Sequence, residues 1–230
     1  GALTMALAME QEVFSARSES GAARYRQRHQ LSDGGGDVAI LDQPAGFTDE
    51  QAQALLNMAR GSIGHRLGLT PPVQPPDDPA MQRHAGVFVT LLLANKLRGC
   101  IGTLEPVDGI ADAVIRNSVA AAFSDHRFAP LTAEEYKQIT IELSILSAPR
   151  SLSYDTPEEL PGLLRPGIDG VILAFGSRRA TFLPQVWQQL PDAAMFLRQL
   201  SIKAGREPSA WRSMNPEVFI YQVDKLVESP

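Results

Sequence analysis

Cys100 is the only cysteine among the 230 residues, and it stands in the segment Leu97-Arg98-Gly99-Cys100-Ile101-Gly102-Thr103. A thiol acts as a nucleophile or redox centre through its thiolate, and a neighbouring guanidinium favours that form. On a regular strand Arg98, Cys100 and Gly102 share one face, and Leu97, Gly99 and Ile101 share the other. This spacing makes Cys100 a candidate nucleophile or redox centre beside Arg98. The same arginine could instead hold a carboxylate or phosphate through two parallel bonds. Glycine packs poorly in a strand, so Gly99 and Gly102 point to a bulge or to the close approach of another backbone or a ligand. A lone cysteine in a strand is also often a small buried hydrophobe, and that alternative stays open.

A second cluster, Asp125-His126-Arg127-Phe128, offers an acid, a base and an anion clamp within four residues. Its other reading is a helix C-terminus with solvated charges. A Cys100–His126 dyad requires the fold to bring the two together. The candidate ligand-binding set is therefore Arg98, Gly99, Gly102, Asp125, His126 and Arg127, and a small anion is the ligand it suits. No metal is expected, because His29, His65, His84 and His126 have no close partner and there is no second cysteine. Phosphate-loop and nucleophile-elbow motifs are absent, and no cofactor is expected.

The elements that must position these residues follow from periodicity. Thr48 and Gln51 form a capping box ahead of Ala52, Leu55, Leu56, Ala59, Ile63 and Leu67, whose spacing predicts a helix closed by Gly68. The stretch Pro71 to Pro79 is an extended loop. Val87–Leu93 and Leu97–Leu104 form a hairpin with a turn at Asn95-Lys96. Residues 109–124 read as a helix, and Thr132 with Glu135 caps a short turn after Pro130. Residues 139–146 alternate as a half-buried strand. Val171–Phe175 and Ala180–Leu183 form a second hairpin about Gly176-Ser177-Arg178. Pro184–Leu190 and Ala193–Ala204 read as helices, and Val218–Val223 as a final strand. Both hairpins imply antiparallel pairing, and the regular alternation of a doubly wound fold is missing. The class is α+β, an antiparallel or mixed sheet with flanking helices.

Residues 1–46 stand apart. A short helix over residues 3–14 is followed by Ser/Gly-rich and mixed polar sequence ending in Gly34-Gly35-Gly36, which reads as a flexible extension ahead of a domain over 47–230. The chain starts at Gly1, so an upstream domain is conceivable. With 44% hydrophobic and 20% charged residues, the chain as a whole has the balance of a folded globular protein. Its net charge of −5 disfavours nucleic acid, which needs a basic face. Arg98-Gly99 resembles the opening of an RNA-binding strand, but the base-stacking aromatics are absent. No apolar run can span a bilayer and no secretory leader is evident, so no membrane partner is expected. A single cysteine fits a reducing compartment and a cytoplasmic location.

The segment Leu97–Thr103 resembles the signature of the AMMECR1 family. Gly86-Val87-Phe88-Val89-Thr90-Leu91, Ala122-Phe123-Ser124-Asp125-His126-Arg127-Phe128 with Pro130, Ile141–Leu146, Gly170-Val171-Ile172-Leu173 and Ala180-Thr181-Phe182-Leu183-Pro184 agree with it in order and spacing. The resemblance covers about residues 47–227. It implies two closely packed lobes with a cleft near the signature strand, and association with Memo-like and radical SAM proteins. Two departures stand out: Ala94-Asn95-Lys96 replaces a turn where glycine is common, and residues 1–46 lie outside the family.

Three functions compete. One is a small-molecule site with Cys100 as reacting thiol and Arg98 and Arg127 as anion clamps. Another is a non-enzymatic adaptor docking on Memo-like or radical SAM partners, which the extension and the Pro-rich loop suit. Nucleic-acid binding ranks last.

Overall fold

The computed structural model describes residues 46–229, so apart from Gly46 the expected N-terminal extension falls outside them. The chain divides into two compact units. The first comprises described residues up to 148 together with those from 223 onward, and the second comprises Pro149–Gln222. Each has its own sheet and its own core.

In the first unit, α1 covers Asp49–Arg66. The Gln51 N–H donates to Thr48 Oγ1 at 3.2 Å, and the Thr48 N–H donates to Gln51 Oε1 at 3.1 Å. This is the reciprocal capping that the Thr-x-x-Gln spacing predicts. The proline-rich loop then runs into a single turn, α2 (Pro79–Gln82). β1 (Gly86–Leu93) and β2 (Lys96–Thr103) form the first hairpin. After them come α3 (Ile110–Phe123), a second capped turn α4 (Ala133–Tyr136) and β3 (Ile139–Leu146).

The second unit holds β4 (Arg150–Ser151), the turn α5 (Leu160–Leu163), and the hairpin of β5 (Gly170–Phe175) and β6 (Arg178–Phe182). A 3₁₀ turn over Pro184–Gln188, α6 (Ala193–Lys203), the turn α7 (Ala210–Ser213) and β7 (Glu217–Tyr221) complete it. β8 (Val223–Val227) returns to the first unit.

Both sheets are antiparallel, in the order β2-β1-β3-β8 and β4-β7-β5-β6. The class is α+β, as the mixed pattern implies. In the first unit Val87, Val89, Leu91, Ile141, Leu143 and Ile145 are all fully buried in one core with the inner faces of α1 and α3. Burying each such side chain contributes roughly 1.5–3 kcal/mol. In the second, Trp187 stacks on Phe196 at 3.8 Å and Phe182 meets the same ring edge-on at 5.2 Å. The Trp187 N–H finds the Asp169 carbonyl at 2.7 Å. Among the described residues no helix is long and apolar enough to cross a membrane.

Two expected elements differ. The single final strand Val218–Val223 is two strands broken at Gln222, because β7 pairs with β4 and β5 while β8 pairs with β3 in the other sheet. The apolar run is continuous in sequence, and only the partners reveal the break. Pro184–Leu190 closes as a 3₁₀ turn, too short for a stable α-helix.

The first hairpin turns through Ala94 and Asn95, with φ of 50° and 60°, between the paired Leu93 and Lys96. Two consecutive positive φ values define a type I′ turn, which favours Asn-Gly. Alanine in this region costs about 1 kcal/mol. The double substitution Ala94→Asn with Asn95→Gly is therefore expected to raise the urea midpoint by an amount equivalent to about 1 kcal/mol. A lowered midpoint would contradict this turn assignment.

Candidate functional site

β2 lies at the edge of its sheet, so half of its backbone groups face away from β1. Its pairing is interrupted. Leu91 pairs with Gly99 and Leu92 with Leu97, which leaves Arg98 as an extra residue in a β-bulge. The bulge breaks the expected alternation. Cys100 and Gly102 stay on one face, opposite Thr90 and Phe88, but Arg98 is turned toward the loop after α3. Arg98 therefore does not present the guanidinium to the thiol that a regular strand would.

Arg98 is instead buried against Glu135. Its Nε donates to Oε1 at 2.8 Å and its Nη2 to Oε2 at 2.9 Å, while Nη2 also reaches the Ala129 carbonyl at 2.9 Å. Glu135 simultaneously caps α4, accepting the Thr132 N–H at 3.0 Å. The capping role is legible from Thr132-x-x-Glu135, but the pairing with a residue 37 positions earlier is not. Hydrogen bonds from Arg98, followed by the Thr132 N–H, hold the Glu135 carboxyl down to about 2.

That depression has a signed consequence. A carboxylate with a lowered folded-state pKa stabilises the fold above its unfolded value of 4.5, and this stabilisation is lost as pH falls toward about 2. The Glu135 side chain is 27% exposed, so solvent screening trims the contribution to about 1–2 kcal/mol. Glu135→Gln should flatten the fall in unfolding free energy between pH 4.5 and 2, measured by urea titration at stepped pH. Identical slopes for the two proteins would refute the coupling.

Asp125 and Arg127 close over the exposed side of β2. The Cys100 N–H donates to Asp125 Oδ2 at 2.9 Å, and Arg127 Nη2 donates to the Cys100 carbonyl at 3.2 Å. The two side chains are themselves paired, with Arg127 Nη2 to Oδ2 at 2.7 Å and Nε to Oδ1 at 2.8 Å. One acid and one base thus supply what a neighbouring strand would supply, an acceptor for the N–H and a donor for the C=O. Burial pushes the Asp125 carboxyl up, but hydrogen bonds from Arg127 and from the Cys100 and Arg127 N–H groups outweigh it and hold the pKa below the ordinary carboxylate range. A carboxylate so held stays ionised near neutral pH and has no proton to give.

Cys100 itself is 7% exposed, and its Sγ accepts a hydrogen bond from Thr90 Oγ1 at 3.3 Å. His126 is exposed on the same loop that buries Asp125. The space left by the two glycines is taken. A β-carbon on Gly99 would lie 2.2 Å from the Ala121 carbonyl oxygen of α3, and one on Gly102 would lie 2.4 Å from the Phe88 ring. Both readings offered for the Gly99 position are observed, a bulge at the neighbouring Arg98 and the close approach of the Ala121 backbone.

The fold therefore brings Cys100, Asp125 and Arg127 together through the Cys100 backbone, and sends Arg98 to Glu135. Both guanidiniums offered by the sequence as anion clamps already hold carboxylates of the chain. Sequence reasoning missed Glu135, Thr90 and Ala129. It also missed Arg60, which donates to Glu228 Oε2 at 2.6 Å and to the Ile139 carbonyl at 2.7 Å, tying β8 and β3 to α1. Only an ion pair across 168 residues marks it, and sequence spacing carries no such signal.

Comparison with known proteins agrees with the signature. The AMMECR1 family model matches residues 56–226. A protein of Thermofilum pendens is 36% identical over 197 residues, covering 78% of this chain and 91% of that one. One of Methanothermobacter thermautotrophicus is 36% identical over 181 residues, covering 77% and 93%. The crystal structure of the uncharacterized protein PH0010 from Pyrococcus horikoshii superimposes with a TM-score of 0.70 at 32% identity, covering 78% of this chain and 92% of that one. With most of the chain matched by the family model and by relatives of nearly their full length, this protein belongs to the AMMECR1 family.

Proposed function

We propose that this chain is a non-enzymatic partner protein that docks on Memo-like and radical SAM proteins, the associates that its family resemblance implies. The observation that carries this reading is the use of the signature residues on the chain itself. Asp125 and Arg127 are spent on the Cys100 backbone and Arg98 on Glu135, so the segment builds a rigid edge. Two measurements on the full chain test it. Native Cys100 should resist iodoacetamide and react once urea unfolds the protein. A Cys100→Ser variant should still co-purify with co-expressed Memo-like or radical SAM protein. Free-thiol alkylation rates in the native state, or failure of the wild-type chain to retain either partner, would overturn the reading.

One observation favours a small-molecule site instead. Arg98 Nη1 is buried without a hydrogen-bond partner, so one donor of that guanidinium is unspent. Native mass spectrometry of the purified chain discriminates. A bound small anion present in the wild type and lost in Arg98→Lys would support this site, and two bare spectra would remove it.

A further inference from the structure

The proline-rich loop ends as a wall. Proline fixes its own φ, carries no backbone N–H and holds the residue before it extended, so Pro75 and Pro76 stiffen the chain and present apolar rings. Asp78 anchors the end of this loop. It accepts the Ala80 N–H at 2.8 Å, which caps α2, and Gln51 Nε2 of α1 at 2.9 Å. The segment after α2 is tied in turn to the start of α3. The Ile110 N–H donates to the Arg83 carbonyl at 2.9 Å, and His84 bridges to Gly109. Between these anchored pieces of the first unit lies a cavity of about 410 Å³, the size of a small-molecule site.

The side chains around it are rich in acceptors. Asp77 lines it from the loop and Asp112 from the first turn of α3. Gln82 Nε2 donates to Asp77 Oδ1 at 3.0 Å, and neither carboxylate has an ion-pair partner among the described residues. The neighbouring aspartates that do not line the cavity are spent on the chain, Asp78 as above and Asp108 on Arg116. His84 adds a third acceptor. Its Nδ1 lies 3.3 Å from the Pro106 carbonyl, which can only accept, so Nδ1 carries the proton and the neutral ring keeps its lone pair on Nε2. No lysine or arginine lines the cavity, and Met81 with the two prolines supplies its apolar part. The first-turn N–H groups of α3 favour an anion, and Asp112 already stands there as one.

An ammonium group has three donors and no acceptor, which is the complement of this lining. We infer that the cavity binds an alkylammonium group, brought either by a small free amine or by a lysine side chain. The site lies apart from the signature strand and stands whether or not the chain docks on the partners proposed above.

Titration of the full chain with n-butylamine, n-butanol and butyrate at matched ionic strength, followed by amide NMR spectra, tests this. The amine carries the arm of lysine, and the alcohol and the acid are its neutral and anionic counterparts. n-Butylamine should shift the Gly109 and Ala111 amides saturably where the other two do not. Asp77→Asn and Asp112→Asn should each raise Kd about threefold and together about tenfold, the scale of exposed ion pairs. Both residues are exposed, so these variants should keep the wild-type urea midpoint. Glu158→Gln removes the same charge from an exposed position in the second unit and should leave Kd unchanged. Binding of Nα-acetyl-lysine amide at least as tight as that of n-butylamine would identify a lysine side chain as the source, and weaker binding would identify a free amine. No saturable shift, equal shifts from amine and alcohol, or an equal loss of affinity in Glu158→Gln would overturn the site.

Discussion

Replacing Asp125 by alanine is expected to cost about 3–5 kcal/mol of stability, read as a drop in the urea midpoint at neutral pH. The loss has two parts. The Asp125 side chain is 3% exposed and Arg127 18%, so the variant leaves a largely buried guanidinium without its anion. It also strips the Cys100 N–H of its acceptor on a strand edge that has no other neighbour. Asp125→Asn keeps an acceptor but gives up the charge, and should fall between alanine and wild type. A double-mutant cycle with Arg127→Ala isolates the pair, and the combined variant should lose clearly less than the sum of the singles. An Asp125→Ala protein within 1 kcal/mol of wild type would mean that the clamp is ornamental, and it would reopen Asp125 as a chemical group.

That expectation recasts the Asp-x-Arg motif. In sequence it reads as an acid, a base and an anion clamp. In three dimensions the acid and the clamp neutralise each other and complete an edge strand. The edge of a sheet is a hazard for unwanted pairing, and proteins cover it with charged side chains or loops. Here the cover is specific, one carboxylate for one N–H and one guanidinium for one C=O. It also fixes the loop that leads into α4, where Glu135 receives Arg98. The two ion pairs therefore pin the same bulged strand from opposite sides of Gly99.

What could be read from the chain divides along physical lines. Local rules succeeded where local forces decide. The capping boxes at Thr48 and Thr132, the alternation of Ile139 to Ile145 and the pairing of Gly86–Thr103 as a hairpin all rest on residues within a few positions of each other. The class, and the position of the signature on a hairpin, followed. Local rules failed where a distant partner decides. Whether Arg98 faces Cys100 depends on one bulged residue; the glycines of Leu97–Thr103 admit a bulge, but they do not fix that Leu92 will pair with Leu97 and leave Arg98 as the extra residue. The break at Gln222 depends on which sheet each half of an apolar run will join. The occupants of the glycine spaces, the Ala121 carbonyl and the Phe88 ring, come from segments whose approach is set by the finished core.

The largest effect of a single added methyl is expected at Gly99. An alanine there would place its β-carbon 2.2 Å from the Ala121 carbonyl oxygen, well inside contact distance. Were the obstacle the tip of a side chain, a rotamer change would relieve it. It is main chain of α3, held in a helix that packs on β1 and β2 through Ile110, Ala113, Val114 and Ala121. Relief therefore requires the helix to lift from the sheet or the strand to leave its register. Either loses core contacts, so Gly99→Ala should cost about 3 kcal/mol or more, at or above the top of the usual range for overpacking. Trimming Ala121 to glycine should not rescue it, because the colliding oxygen belongs to the backbone. Gly162→Ala is the matched control. That glycine lies in the exposed turn α5 with nothing within 4 Å of its missing β-carbon, so alanine there should stay within about 1 kcal/mol of wild type, on the stabilising side. If Gly99→Ala and Gly162→Ala unfold at the same urea concentration, then α3 does not press on the signature strand. In that case the glycine at position 99 would have to be explained by something that binds there.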